Sequence, residues 1–317
     1  MKKISFLVLL MLVVFSFTAC SNEKKQDDKF NIITSFYPIY IATSNLVDGV
    51  DGVSLECLAS PEVGCLHDYQ LTVNDMKKLE NADVFVINGG DMESFFDKAI
   101  STYPELEIIN SSETLLNVEE HHEEECEEDE HHHHHGEVNS HIWVSIPKYI
   151  IQVKNISKKL QELDTENANK YIENEKMYIQ KLEALNQELL AMISETEIKN
   201  IVTFHEAFDY FAEDLNLNIV AVIEREPGTS PSARDLVGII DSIRELNVGA
   251  IFVEPQYLKT AANTIANETG VNVYELDPIV SGAFEKDAYE NIMRKNIAIL
   301  KEALNNDWEM WILLHKN

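Results

Sequence analysis

An α/β protein of two similar lobes joined by one long helix is predicted by three features of the sequence. Apolar strand-like runs alternate with helical segments in the first third of the chain, the same alternation resumes in the last third, and between them lies an unbroken amphipathic stretch of nearly thirty residues. At 317 residues, with 45% apolar residues, the chain is long enough for two units that each bury a core.

In order, "FNIITSFYPIYIATSNLV" reads as a strand turning into a helix, "VSLECLA" as a strand, "VNDMKKLENA" as a helix and "DVFVING" as a strand. "MESFFDKAIST" then reads as a helix and "LEIINSS" as the next strand. The run "VFVIN" is almost wholly apolar, as a parallel strand covered on both faces should be. Ser145 is placed to cap a helix with Pro147 in its first turn, running to about Leu163. A second helix is expected from about Asp164 or Thr165 to Ile193, with Ile172, Ile179, Leu182, Leu185, Leu189 and Ile193 as its buried stripe. Twenty-eight helical residues span about 42 Å, enough to cross the height of two lobes. The second lobe follows as "NIVTF", "EAFDYFAEDL", "NIVAVI", "SARDLVGIIDSIREL", "VGAIFVE", "KTAANTIANETG", "VNVYEL" and a helix over 287–304. In such a plan a ligand sits where the strand ends of the lobes face each other. The apolar tail "DWEMWILLHKN" is too short to span a bilayer and is expected to pack on a lobe.

The N-terminus has two lysines, an apolar run from Ile4 to Ala19 and small residues before Cys20, the layout of an export signal. "FTAC" resembles the lipobox of bacterial lipoproteins, with Phe17 where leucine is commoner; the resemblance implies lipid on Cys20 and cleavage just before it. Two acyl chains suffice for stable anchoring. Ordinary cleavage and free secretion is the alternative. The expected boundaries are a signal over 1–19, a tether over 20–30, a first lobe over 31–145 with a loop at 118–138, a helical linker over 146–196 and a second lobe over 197–317. Cys57 and Cys65 are expected to form a disulfide ahead of His67, stabilising by about 2–3 kcal/mol; two buried free thiols are the alternative.

The net charge of −30 argues against nucleic acid, whose phosphates require clustered lysine and arginine, and favours cations. Residues 119–137, "EEHHEEECEEDEHHHHHGE", hold seven histidines (His121, His122, His131, His132, His133, His134 and His135), ten carboxylates and Cys126, without one lysine or arginine. No apolar anchor or regular spacing accompanies them, so this loop is expected to be disordered without metal and to bind it weakly, because closing round an ion costs conformational entropy. A solvated linker is the plainer reading of any charge run. Of the remaining histidines, His67, His141 and His205 fall at predicted strand or loop ends, and His315 lies in the tail. A lone histidine in such a place is usually structural. Three reaching one cleft would form a metal site.

"HDYQLTVNDMKKLENADVFVINGGDMESF", "NSHIWVSIPKYI", "VTFHEAFDYF", "PGTSPSARDLVGIIDSIRELNVGAIFVEPQY" and "YELDPI" resemble successive signature segments of the metal-binding lipoproteins that serve ATP-binding-cassette importers of zinc and manganese, the cluster A-I metal receptors. The resemblance runs from about residue 30 to 304. It implies metal ligands at His67, His141, His205 and Asp277, and a cleft site between two lobes bridged by a rigid helix. It also implies Zn²⁺ as the ligand, an importer permease as the partner, and no catalysed reaction. The histidine-rich loop is similar to that of the zinc branch. "HEAF" stands where "HDAY" is common, and Leu66 precedes His67 where some zinc members have glutamate, which leaves Asp277 or water as the fourth donor. Three imidazoles and one oxygen suit tetrahedral zinc, whereas manganese prefers oxygen-rich sites. Asp68, Glu206 and Glu254 have the chemistry to accept the second N–H of a ligating imidazole. A monomer, tethered to the membrane on the extracytoplasmic side, is expected. The rival readings are a manganese or iron receptor of the same fold, a surface adhesin, and a zinc hydrolase with a reactive water; no nucleophile elbow, phosphate loop or dinucleotide fingerprint occurs.

Overall fold

The computed structural model describes residues 29–60, 66, 69–96, 99, 102–115, 139–194, 196–224 and 231–304. In the first lobe β1 (Phe30–Thr34), α1 (Tyr37–Leu46), β2 (Val53–Cys57), α2 (Val73–Glu80), β3 (Val84–Ile87) and β4 (Glu107–Asn110) build a parallel sheet in the order β2-β1-β3-β4. Two helices, α3 (Ile146–Leu163) and α4 (Ala168–Ser194), then lead to the second lobe. There β5 (Asn200–Thr203), α5 (Asp209–Asp214), β6 (Asn218–Val222), α6 (Ala233–Glu245), β7 (Ala250–Val253), α7 (Thr260–Thr269) and β8 (Asn272–Glu275) repeat the plan, β6-β5-β7-β8, again all parallel. Helix α8 (Ala288–Leu304) returns to pack on α4 and α1. The sequence reading of two α/β lobes joined by a long helix is therefore what forms.

Strand alternation divides the core. Ile32, Val84, Val86, Ile201, Ala250 and Phe252 face one continuous apolar core that also takes in α3, α4 and α8 and runs through both lobes. Their neighbours Ile33 and Phe85 face a smaller outer core in the first lobe, and Val202, Ile251 and Val253 face one in the second. Both faces of the central strands are thus covered, which is why β3 and β7 consist only of apolar residues.

Helix ends follow their chemistry. Thr72 and Asp75 close a capping box on α2, as Ser232 and Asp235 do on α6, and Ser145 caps α3 by accepting from Lys148 N. Each such cap is worth about 1 kcal/mol. Helix α4 begins at Ala168, later than expected, because Asp164 caps α3 and accepts bonds from Asn167 Nδ2 and Tyr171 Oη, each at 2.8 Å. Its buried stripe starts at Tyr171 and continues through Asn174, Tyr178, Leu182, Leu185, Leu189 and Ile193. Ile172, expected inside, is 48% exposed, since the tyrosines set the phase of the helix. The segment expected as a helix from Met92 opens as a 3-10 turn at Ser94–Phe96. At 27 residues, α4 is about 40 Å long. Among the described residues no helix is long and apolar enough to cross a membrane.

Candidate metal centre

In each sheet the chain steps from a central strand outward and then crosses to the opposite side, so the carboxyl ends of β1 and β3, and of β5 and β7, are topological switch points where ligands bind in α/β sheets. His205 lies two residues beyond the end of β5, and Glu254 directly follows β7. His141 comes from the segment entering α3 and precedes a 3-10 turn at Ile142–Val144. The two imidazoles, far apart in sequence, meet edge to face with ring centroids 4.8 Å apart and an interplanar angle of 81°. Each is 2% exposed. Trp143 lies 5.3 Å from the His141 ring and Tyr257 lies 5.9 Å from the His205 ring, so aromatic walls flank the pair.

Both rings have an oxygen at Nδ1. Asn139 Oδ1 is 2.8 Å from His141 Nδ1, and Glu254 Oε1 is 3.5 Å from His205 Nδ1. An acceptor at Nδ1 selects the tautomer whose Nε2 keeps a lone pair, the form that ligates metal. Gln256 Nε2 donates to the other oxygen of Glu254 at 3.0 Å. Burial pushes the Glu254 carboxyl above its ordinary range; His205 opposes the shift, while Asp277 and Glu224 reinforce it. Desolvated carboxylates crowding two imidazoles form a site that a divalent cation would relieve.

Asp277 follows β8 and is held by Asn296 of α8, whose Oδ1 accepts from Asp277 N at 3.0 Å and whose Nδ2 donates to Asp277 O at 2.8 Å. Its Oδ1 accepts from Ile279 N at 2.8 Å, and burial raises its pKa. Ile279 is fully buried at φ +61°, a left-handed conformation that β-branched residues avoid; Trp143 Nε1 fastens the turn by donating to Pro278 O at 2.7 Å. Asp277 does not complete a cluster with the histidines: among the described residues no three of His, Cys, Asp and Glu gather closely enough to hold a metal ion.

His67 and Asp68 lie outside the described residues, as do Cys20, Cys65, Cys126, the histidines of the 118–138 loop, and the tail. Glu206, a candidate partner for an imidazole, uses its backbone oxygen to accept from Asn139. Cys57, one half of the expected disulfide, carries a free thiol, buried at the end of β2 and pushed up to about 12 by desolvation, while Cys65 lies outside the described residues. Asn139 was not anticipated. Its signal was local, since an Asn two residues ahead of His141 can accept that residue's own N–H in an Asx turn, as it does here at 2.9 Å.

Two parallel-sheet lobes joined by a long helix, with His141 and His205 meeting between them, have the architecture of a two-lobed solute-binding protein. The chain belongs to the family of the periplasmic zinc-uptake complex component A, whose model matches residues 32–303. It is 31% identical to the zinc-binding lipoprotein AdcA of Streptococcus pneumoniae over 97% of this chain, and it spans only 62% of that relative's length. It is 30% identical to the high-affinity zinc uptake system protein ZnuA of Bacillus subtilis, over 96% of this chain and 98% of that one. Among solved structures it is similar to FpvC of Pseudomonas aeruginosa in complex with Mn²⁺, with a TM-score of 0.73 and 28% identity over 87% of this chain and 98% of that one.

Proposed function

We propose that this protein is an extracytoplasmic receptor that binds Zn²⁺ in the cleft between its lobes and hands it to the permease of an ATP-binding-cassette importer. His67, His141 and His205 are the nitrogen donors, and Asp277, after turning from the Ile279 N–H, or a water is the fourth. The observation that carries the reading is the buried His141–His205 pair, drawn from two lobes, each ring with an oxygen at Nδ1. The protein catalyses no reaction, acts as a monomer, and is tethered through lipid on Cys20. The loop at 118–138 gathers zinc near the cleft and binds it weakly, fading below about pH 6.5 as imidazoles protonate.

The likeness to a protein solved with Mn²⁺ favours a manganese reading as the rival. A nitrogen-rich donor set argues for zinc over manganese. Metal analysis of protein purified without added metal, followed by competition with a chromophoric chelator, tests the choice. His205→Ala should weaken the tight site by more than about 100-fold, roughly 2.7 kcal/mol. His205→Glu should weaken zinc and improve manganese relative to it, while His315→Ala should change neither. Unchanged tight zinc affinity in His205→Ala would falsify the three-histidine site.

A further inference from the structure

We infer that Asn139 is a positioning residue that ties the metal-ready state of His141 to contact between the lobes, so that the ion is held tightly only while residue 139 is bonded to the second lobe. The inference rests on the receptor reading and deepens it, by naming what sets the rate of metal release.

The carboxamide of Asn139 has four hydrogen-bonding positions and uses all of them. Its Oδ1 accepts from His141 N at 2.9 Å and meets His141 Nδ1 at 2.8 Å. Its Nδ2 donates to Glu206 O at 2.8 Å and to Asp209 Oδ2 at 2.9 Å. A backbone N–H on one side and a backbone carbonyl on the other leave the amide a single orientation. That orientation requires His141 to carry its proton on Nδ1 and to offer Nε2 to an ion. The two groups that receive the amide protons flank the 3-10 turn Glu206–Phe208 that follows His205. One small side chain therefore orients the first-lobe imidazole and grips the turn carrying the second-lobe imidazole.

The first lobe holds the same peptide from behind. Asn88 Nδ2 donates to Ser140 O at 2.9 Å, and Asn88 is itself fixed by Gln152 Nε2 at 2.9 Å and by Glu93 Oε1 on its backbone N–H at 2.8 Å. When the lobes part, these first-lobe bonds survive and the bonds to Glu206 and Asp209 break. The amide is then free to turn, and His141 loses the acceptor that fixes its ring.

The test combines zinc dissociation rates, measured with excess chelator in protein lacking residues 119–135, with ¹⁵N chemical shifts of the His141 ring in metal-free protein. Asn139→Asp keeps the acceptor for His141 but sets a carboxylate against the Glu206 carbonyl and the Asp209 carboxylate. Its dissociation should quicken at least tenfold while the Nδ1–H tautomer persists. The double change Asn139→Asp with Asp209→Asn restores a donor opposite residue 139 and should recover much of the loss. Asn139→Ala should both quicken release by about 10- to 100-fold and mix the tautomers. A wild-type dissociation rate in Asn139→Asp overturns the link to the second lobe, and an unmoved tautomer in Asn139→Ala overturns the positioning. If the wild-type protein has no tight zinc site, it is the receptor reading that fails, and the tautomer measurement still decides the role of Asn139.

Discussion

Replacing Glu254 by glutamine probes the cleft without touching any proposed ligand. The carboxylate faces His205 Nδ1 at 3.5 Å with Oε1 and accepts from Gln256 Nε2 at 3.0 Å with Oε2. An amide of the same shape has one oxygen, so its NH₂ must face either the Gln256 amide or the imidazole. Facing the imidazole, it selects the tautomer with the proton on Nε2, where the ion should bind. Facing Gln256, it sets two donors together in a place where Glu254 is 1% exposed. Loss of an acceptor behind a ligating imidazole costs about 10- to 100-fold in metal affinity, or about 1.4 to 2.7 kcal/mol. The same change removes a charge that burial already disfavours, so the melting temperature of the metal-free protein at pH 7 should hold or rise. Chelator competition and a thermal melt measure the two effects. Zinc affinity equal to wild type would show that Glu254 does not orient His205.

Three further outcomes are expected. Deleting residues 119–135 should reduce zinc stoichiometry to about one in a titration and leave the tight phase intact, because the proposed ligands lie elsewhere; disappearance of the tight phase would make the loop the primary site. Cys20→Ala should move the protein from detergent to water in a phase-partition assay, and a wild-type protein already found in water would end the lipoprotein reading. Glu93 is buried and its carboxyl is pushed up to about 7 by desolvation, against the pull of the Asn88 and Gly89 N–H groups, so its contribution to stability is complete below its unfolded pKa near 4.5 and is lost as pH rises through about 7. That contribution is on the order of 3 kcal/mol, and Glu93→Gln should flatten the fall of melting temperature across this window; an identical slope in wild type and variant would refute it.

The sequence displayed the fold where periodicity and capping chemistry agreed. Ser145 and Pro147 mark the start of α3, and the all-apolar runs of β3 and β7 mark doubly covered strands. It misled where side chains compete for a phase. Ile172 looked like core by spacing, yet Tyr171 and Tyr178 bury more surface and turn the helix so that the isoleucine faces water. His141 and His205 could be named one at a time, but their meeting depends on how α3 and β5 lie in space, which no local pattern encodes. Glu254 had the chemistry of a partner without an address until β7 was set beside β5. For the disulfide, spacing says nothing of where a thiol points, and Cys57 is buried at its strand end.

The return of the chain to its beginning bears on the order of assembly. Tyr289 stacks on Tyr149 at 4.0 Å and donates to Trp143 O at 2.9 Å, Tyr37 donates to Ala283 O at 2.7 Å, and Asn45 donates to Lys286 O at 2.8 Å. Synthesis delivers the first lobe before its partners, and these seats stand vacant until Ala283, Lys286 and Tyr289 arrive. A ribosome-bound fragment that stops before Ala283 leaves the face of α1 uncovered and the shared core open to water. Covering the inner face of α1 therefore waits on residues about 240 positions downstream of it, so the first lobe buries its full core only once that later segment has docked.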